Sequence, residues 1–214
     1  MSRIGIFTLD FKFYHDVIKD LRSWNLPFTS IESPDNVPRD VSVILSSVND
    51  EYDLPNQIKA ENPTSGIRMA LPRLMNKTQF KSLVIGIDPG PKPGIAVLAD
   101  GVLLEAYECS STRKVRKEVH DISSGYFYRE IMVKIGDGDA PNRNEIIKSI
   151  EKLGISILVV DEKNTSTPHK VHDNALSAAR IAQLNGVFDV KFNEKFSRKT
   201  VYEKEFTTLL SVIR

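Results

Sequence analysis

The chain has 214 residues, enough for one large domain or two modest ones. Its 41% hydrophobic and 27% charged residues are typical of a globular protein in water, and no apolar run approaches the ~20 residues of a membrane-spanning helix. Cys109 is the only cysteine, which excludes an internal disulfide and a thiolate metal cluster. With no signal-peptide pattern at the N-terminus, these features predict a cytoplasmic protein without a membrane partner. A net charge of +1 does not by itself indicate a nucleic-acid-binding protein.

Residues 1–80 predict a small α/β domain whose role the sequence does not indicate. Its predicted elements are a strand at Arg3–Leu9, a helix at Phe11–Trp24, strands at Pro27–Ile31 and Val41–Leu45, and a short helix at Ile67–Leu74 broken at Pro72. Residues 49–66 are polar and contain Pro55, Pro63 and Gly66, a composition typical of a loop or linker. We place the domain boundary near residue 80.

Residues 81–214 predict a second, more regular domain. Three strands come first, at Leu83–Ile87, Gly94–Ala99 and Val102–Tyr107, and Asp100-Gly101 is a strong hairpin signal. Helices and strands then alternate: a helix at Ser111–Tyr128, a strand at Glu130–Ile135, a helix at Asn144–Leu153, a strand at Ile155–Val160, and helices at Ala175–Leu184 and around Thr200–Ile213. This order predicts an α/β fold with a mixed sheet of the ribonuclease H-like type, in which a three-strand antiparallel meander precedes the alternating elements.

Acidic residues fall at the ends of three predicted strands. Asp88 follows Leu-Val-Ile-Gly-Ile, Asp137 follows Ile-Met-Val-Lys-Ile, and Glu162 lies just beyond Ile-Leu-Val-Val, while Asp173 precedes the alanine-rich helix. Strand ends on one edge of a sheet are where α/β folds place ligands, and converging carboxylates suit Mg²⁺ or Mn²⁺. Each acid also has a purely structural interpretation, since Asp137-Gly138-Asp139 could form a turn and Asp173 a helix N-cap.

Three stretches resemble the RuvC and YqgF nucleases. Val84–Val97, with Ile-Asp-Pro-Gly, is similar to the first hairpin of RuvC-type Holliday junction resolvases; Val159–Thr167 resembles the Asp-Glu-Arg-x-Thr-Thr segment of YqgF proteins; and His172–Ala179 resembles the helix that carries the last catalytic acid in both groups. The resemblance covers residues ~82–186, about half of the chain. It implies a metal-dependent endonuclease acting on branched DNA, such as a Holliday junction, or on structured RNA, and for a resolvase a homodimer.

The resemblance also implies roles for individual acids. Asp88 matches the acid of the first strand, and Asp137 lies where the acid of the fourth strand is expected. Alignment of the alanine-rich stretch places Asn174, not Asp173, on the last catalytic acid. We therefore expect Asp88 and Asp137 to bind magnesium or manganese, with Asp173 as the third catalytic and metal-binding residue after a shift of one position and Glu162 as a reserve catalytic acid.

Basic residues form two clusters that could contact phosphates. On a helix, Arg113, Arg116 and Lys117 share one face, with Lys114 beside them; the second cluster contains Lys195, Arg198 and Lys199, and Lys92 lies in the Pro/Gly turn after Asp88. We expect these side chains to bind nucleic acid, although each cluster could equally be a solvated surface.

Other functions remain open at this level. The Asn174 mismatch favours a catalytically weakened or inactive nucleic-acid-binding or scaffold module. An ATP-using protein of the actin, Hsp70 and sugar-kinase superfamily would share the hairpin but needs a second phosphate loop, which the chain lacks. A receiver-like regulatory domain is an alternative for residues 1–80, where Asp10 follows a strand, but no acceptor aspartate follows Val41–Leu45 directly and no matching lysine is evident.

Overall fold

The fold is taken from a computed structural model, which describes residues 2–161, 173–184 and 209–213. The chain forms two compact units. The first comprises Met1–Phe80 with Asp121–Phe127 and Leu209–Arg214, and the second comprises Lys81–His120 with Tyr128–Thr208. Short segments from the second half of the sequence therefore belong to the first unit, an arrangement that hydrophobic periodicity along the chain does not encode.

The first unit contains a four-stranded parallel sheet in the order β2-β1-β3-β4. Its elements are β1 (Arg3–Ile6), α1 (Phe11–Ser23), β2 (Phe28–Ser30), β3 (Val41–Ser47), β4 (Gln57–Ala60) and α2 (Pro63–Leu74). The prediction of loop or linker for residues 49–66 was wrong, because β4 and the start of α2 lie within that range. Asn62 accepts a hydrogen bond from the Ser65 amide and caps α2, so Pro63 occupies the first turn of a helix, where proline is tolerated.

The core of the first unit is formed by the apolar face of α1 and the inner strands. Phe13, Val17 and Leu21 recur at helical spacing and are buried, as are Ile4 and Ile6 of β1. Asp10 caps α1 by accepting a hydrogen bond from the Phe13 amide at 3.0 Å. Residues 7–10 connect β1 to α1, so the β1–α1 loop lies at the carboxyl edge of the parallel sheet.

The second unit contains a five-stranded mixed sheet in the order β7-β6-β5-β8-β9. The strands are β5 (Phe80–Asp88), β6 (Gly94–Ala99), β7 (Val102–Glu108), β8 (Tyr128–Gly136) and β9 (Ser156–Val160). β5, β6 and β7 pair antiparallel in succession, while β8 and β9 pair in parallel. The mixed α/β class predicted from the sequence is confirmed.

The first hairpins of this sheet follow from local sequence. Asp100 and Gly101 both have positive φ, as a two-residue turn between right-twisted strands requires. The Asp100 carboxylate accepts hydrogen bonds from the amides of Lys81 at 2.8 Å and Ser82 at 3.0 Å, which fixes the turn against the start of β5. The register that results pairs Asp88 with Gly94 at the opposite end of the hairpin.

The helices of the second half of the chain are α3 (Thr112–Gly125), α4 (Ala140–Ile150, continued by a 3-10 turn at Glu151–Leu153), α5 (Asn174–Gln183) and a short α6 (Leu209–Val212). Of the last helix predicted around Thr200–Ile213, residues 200–208 lie outside the described part of the chain. Within that part, no helix is both long and apolar enough to cross a membrane.

Candidate functional site

Asp88 is the last residue of β5 and lies in an environment that disfavours its charge. Burial raises the pKa of Asp88 to about 6, and a hydrogen bond from Ser177 of α5 acts in the opposite direction. The carboxylate is nevertheless partly exposed. A carboxylate in this position would be stabilised by a cation supplied from outside the protein.

Helix α5 packs very closely over the β5–β6 hairpin. A Cβ added at Gly94 would lie 1.8 Å from the carbonyl oxygen of Asn174, and one added at Gly86 would lie 2.1 Å from that of Ala178. Ala178 and Ala179 pack against Ala96 in the core beneath the helix. Small residues on both sides therefore let the backbone of α5 approach the strands, and the alanine-rich sequence serves this contact.

Asn174, which the resemblance placed on the last catalytic acid, has a structural role. Its side-chain amide donates to the Lys92 carbonyl at 2.9 Å and to the Glu108 carboxylate at 2.9 Å. The side chain of α5 that bonds to Asp88 is Ser177, one turn further along the helix. Ser177 and Glu108 were not among the residues singled out from the sequence; only the helical spacing from Asn174 could have indicated Ser177.

Asp173 is the N-cap of α5. Its carboxylate accepts hydrogen bonds from the amides of Ala175 at 3.0 Å and Leu176 at 3.2 Å, which satisfies two donors of the first turn. In the structure, the Asp173 side chain therefore caps the helix, one of the two roles that the sequence left open.

Asp137 follows β8, the neighbour of β5 in the sheet. Its amide donates to the Val160 carbonyl at 2.9 Å, and its own carbonyl accepts from Arg143 at 2.7 Å, so its backbone is fixed between β9 and α4. Asp139 caps α4 by accepting from the Asn142 amide. Asp139 therefore caps α4, whereas Asp137 lies at the end of β8.

The far end of α5 is fixed by a buried cation. Lys134 of β8 is 8% exposed, and its ammonium group donates to the carbonyls of Ala182, at 3.0 Å, and Leu184. A cation is favourable at a helix C-terminus, where the carbonyls lack partners within the helix. Burial lowers the pKa of Lys134 from its ordinary value. Ser177 and Lys134 together connect α5 to the two strands that precede Asp88 and Asp137.

The acids of the predicted metal site do not form a three-ligand cluster. Among the described residues, no group of three histidine, cysteine, aspartate or glutamate side chains is placed to hold a metal ion. The roles of Asp88, Asp137 and Asp173 as metal ligands stay predictions, and in this structure the Asp173 carboxylate is occupied by the capping bonds of α5. Glu162 lies outside the described residues.

The predicted nucleic-acid contacts are described only in part. Arg113, Lys114, Arg116 and Lys117 lie in the first turns of α3 and are exposed, while Val115 and Val119 are buried. The Tyr107 hydroxyl donates to Glu118 at 2.9 Å and links α3 to β7. The Lys92 ammonium group lies 3.8 Å from the Glu108 carboxylate. Lys195, Arg198 and Lys199 lie outside the described residues.

The first unit has a second notable arrangement, at the carboxyl ends of β1 and β3. Asp50 is buried and accepts hydrogen bonds from the amides of Leu9 at 2.8 Å and Ser47 at 2.9 Å. Asp10 accepts from the side chains of Ser47 at 2.9 Å and Asn49 at 3.2 Å. The hydrogen bond from the Phe13 amide, together with those from Ser47 and Asn49, lowers the pKa of Asp10. Two carboxylates thus join the β1–α1 loop to the β3–β4 loop.

Comparison with known families finds one match, in the first unit. Residues 3–74, about a third of the chain, match the model of a response regulator receiver-like domain. The strand order β2-β1-β3-β4 agrees with this match, since it corresponds to the doubly wound order of flavodoxin-like sheets. The family match therefore supports the alternative that residues 1–80 resemble a receiver domain, for which the sequence alone provides little indication. Ser47, not an aspartate, ends β3.

No curated protein matches the sequence. Among solved structures, the chain is similar to Thermus thermophilus RuvC, with 14% identity and a TM-score of 0.29, over 50% of this chain and 83% of that one. It is also similar to Marinitoga piezophila Argonaute in complex with a 5′ OH guide RNA, with 12% identity and a TM-score of 0.29, over 79% of this chain and 41% of that one.

Proposed function

We propose that the second unit is a ribonuclease H-like domain that hydrolyses phosphodiesters in branched DNA or structured RNA with Mg²⁺ or Mn²⁺. The observation that carries this proposal is the position of two acids on neighbouring strands. Asp88 ends β5, Asp137 follows β8, and β5 and β8 are adjacent in the order β7-β6-β5-β8-β9. Such strand ends are the usual ligand position of α/β sheets.

The donor set fits a hard cation that is only partly bound by protein. Magnesium commonly keeps several waters and is held by one or two carboxylates together with substrate phosphates. Asp88 and Asp137 would supply these carboxylates. The raised pKa of Asp88 supports this assignment, because a nearby cation would offset the cost of burying the charge. When bound, the ion would supply an activated water and stabilise charge on phosphate oxygens.

The residues of the chain then have distinct tasks. Ser177 orients the Asp88 carboxylate through its hydrogen bond. Asn174 ties Lys92, in the loop that follows Asp88, to Glu108 at the end of β7. Asp173 fixes the start of α5. Each contact limits the movement of α5 over the hairpin, and a catalytic carboxylate needs such positioning to within a fraction of an ångström.

Exposed cations on α3 would bind the phosphates of the substrate. Arg113, Lys114 and Arg116 are exposed, whereas Val115 and Val119 of the same helix are buried. Contacts of this kind position a nucleic acid without reading its sequence, and their contribution falls as salt increases. Lys92, Lys195, Arg198 and Lys199 are further candidates for phosphate contacts.

The test uses the purified full chain. We expect cleavage of a four-way DNA junction or of a structured RNA with Mg²⁺ or Mn²⁺ and none with EDTA. Asp88→Asn and Asp137→Asn should each reduce cleavage by at least about 100-fold, the size of effect expected when a group that stabilises the transition state is lost. Asp35→Asn, which removes an exposed carboxylate in the first unit, is the matched control. Glu162→Gln tests the reserve acid.

A second candidate is a module that binds nucleic acid without cutting it, and in that case the chain would serve as a scaffold. It is favoured by Asn174 in the position of the last family acid and by the capping bonds of Asp173. Calorimetry with Mn²⁺ separates the two. Binding of the junction with no cleavage and no metal uptake would establish the second function. Metal uptake that Asp88→Asn abolishes would support the first.

A further inference from the structure

Four exposed apolar side chains lie around the joined loops of the first unit. Leu9 is 66% exposed and Phe11 is 89% exposed, on either side of Asp10 in the β1–α1 loop; Val48 and Tyr52, in the β3–β4 loop, are each 47% exposed. Large apolar residues clustered at one edge of a domain commonly mark an interaction site. We call these four residues the apolar edge.

Hydrogen bonds bring the two parts of the apolar edge together. Val48 lies between Ser47 and Asn49, and both of these donate to the Asp10 carboxylate that separates Leu9 from Phe11. The Leu9 amide also donates to Asp50. The Tyr52 ring packs edge-on against Phe7, with centroids 5.7 Å apart. The four side chains therefore belong to one surface and not to two separate loops.

The framework under the apolar edge is fixed before any partner arrives. Asp50 accepts hydrogen bonds from the amides of Leu9, in the β1–α1 loop, and Ser47, at the end of β3. The buried Ser46 hydroxyl donates to the Phe7 carbonyl at 2.6 Å and accepts from Gln57 at 2.8 Å. A surface whose backbone is already ordered loses little entropy on binding. Phe11 is the first residue of α1, and the N-cap at Asp10 fixes its position. Its exposed side chain therefore belongs to an ordered surface.

The rim of the apolar edge is acidic. Across residues 7–12 and 47–54 the acids are Asp10, the buried Asp50, Glu51 and Asp53, and Lys12 is the only base, which gives these two segments a net charge of −3. Glu51 and Asp53 flank Tyr52, and both are exposed. Lys59, from β4, forms an ion pair with Asp53 at 2.9 Å and neutralises part of this charge. A partner that fits the surface needs apolar side chains with cations around them.

We propose that the apolar edge binds a basic amphipathic helix of a partner protein. Such a helix would place its apolar stripe against Leu9, Phe11, Val48 and Tyr52 and its lysines or arginines beside Glu51 and Asp53. The charge on the rim favours this occupant over an acidic segment, because like charges across an interface cost affinity. This inference concerns the first unit and is independent of the function proposed for the second.

The experiment measures binding of the full chain to a fluorescent model peptide. The probe is a helix of about 18 residues, five turns, with leucines at i, i+3, i+4 and i+7 and lysines elsewhere; its twin carries glutamate in place of lysine. We expect Phe11→Ser and Leu9→Ser to weaken binding of the basic peptide at least about tenfold, as for a central apolar contact. Glu51→Lys should weaken it as well, and more at low salt.

Phe127→Ser is the matched control, since Phe127 is an exposed phenylalanine of the same unit, 44% exposed, outside the apolar edge. Unchanged melting temperatures of the variants would show that the unit still folds. Three results would overturn the proposal: no binding of the basic peptide, equal binding by Phe11→Ser, or equal binding of the acidic twin. Self-association of the chain that Phe11→Ser abolishes would also overturn it, because a second copy would then be the occupant.

Discussion

The side-chain amide of Asn174 donates to the Glu108 carboxylate at 2.9 Å, joining the start of α5 to the end of β7. The residue that the resemblance aligns with the last catalytic acid of the RuvC and YqgF nucleases is thus bound to a glutamate of the adjacent sheet. An aspartate at position 174 would face this carboxylate and repel it. Asn174 on α5 is therefore complementary to Glu108 on β7, and no local sequence pattern connects these two residues.

Asn174→Asp should destabilise the protein. It replaces a donor by an acceptor opposite both Glu108 and the Lys92 carbonyl, so two hydrogen bonds are lost and like charges meet. We expect the free energy of unfolding to fall by about 1–3 kcal/mol, measured by urea denaturation. The double variant Glu108→Gln/Asn174→Asp should recover part of this loss, because glutamine can donate to the new carboxylate. Equal stability of the single variant and the parent would contradict the structure.

Asp88→Asn should stabilise the metal-free protein at neutral pH while removing activity. The folded-state pKa of Asp88 is raised to about 6 from 3.8. Between these values the folded state binds more protons than the unfolded state, so stability is full below pH ~4 and falls as pH rises towards 6. We expect a loss of about 1–2 kcal/mol in the parent, less than the full shift implies because the group is partly solvated. Denaturation curves between pH 4 and ~7 should show no such fall in Asp88→Asn.

Ser177→Ala should raise the pKa of Asp88 further. The Ser177 hydroxyl stabilises the ionised carboxylate and so lowers the pKa of Asp88, while burial raises it. Without the hydroxyl, only the effect of burial remains. Carbon-13 NMR titration of the Asp88 side chain provides the measurement. Ser149→Ala, which removes a hydroxyl bonded to the Ile146 carbonyl on α4, is the control and should leave the titration unchanged. An unaltered Asp88 titration in Ser177→Ala would show that this hydrogen bond does not act on the carboxylate.

Gly94→Ala should disturb the packing of α5 against the hairpin and destabilise the protein more than an ordinary surface substitution does. The added Cβ would lie 1.8 Å from the Asn174 carbonyl oxygen, so the helix must move away from the hairpin. We expect a loss of about 3 kcal/mol, the upper part of the usual range for overpacking. Gly90→Ala, in the loop between β5 and β6, is the control, since nothing lies within 4 Å of its Cβ position. If Gly94→Ala and Gly90→Ala are equally stable, α5 does not pack against Gly94 in this way.

Lys134→Met should loosen the C-terminal end of α5. The substitution keeps much of the apolar stem but leaves the Ala182 and Leu184 carbonyls without their donor. The expected cost is about 1–3 kcal/mol, with faster amide hydrogen exchange in α5 than in β6. Lys148→Met, at an exposed position of α4, should have no comparable effect. If exchange in α5 is unchanged, Lys134 is not its C-terminal anchor.

The sequence by itself determined the local structure where short-range patterns are strong. β6 begins and ends where alternation and the Asp100-Gly101 turn predicted it, and Asp88 ends a strand as expected. Residues 49–66 were misassigned because their prolines and polar residues resemble a loop, whereas Pro63 begins a helix whose cap is Asn62. Propensity is a weak guide at such positions, since tertiary pairing of β4 with β3 outweighs it.

Only the tertiary structure decided which side chain of α5 bonds to Asp88. A shift of one residue rotates a side chain by about 100° around a helix, so alignment of the alanine-rich stretch could not distinguish Asp173, Asn174 and Ser177. The rotation of α5 is determined by Gly86, Gly94 and Lys134, which lie 48 to 96 positions from the α5 residues they contact. The chain alone therefore predicted an acid at the strand end, and the packing of a distant helix determined its hydrogen-bond partner, because contacts at long sequence separation leave no periodic pattern.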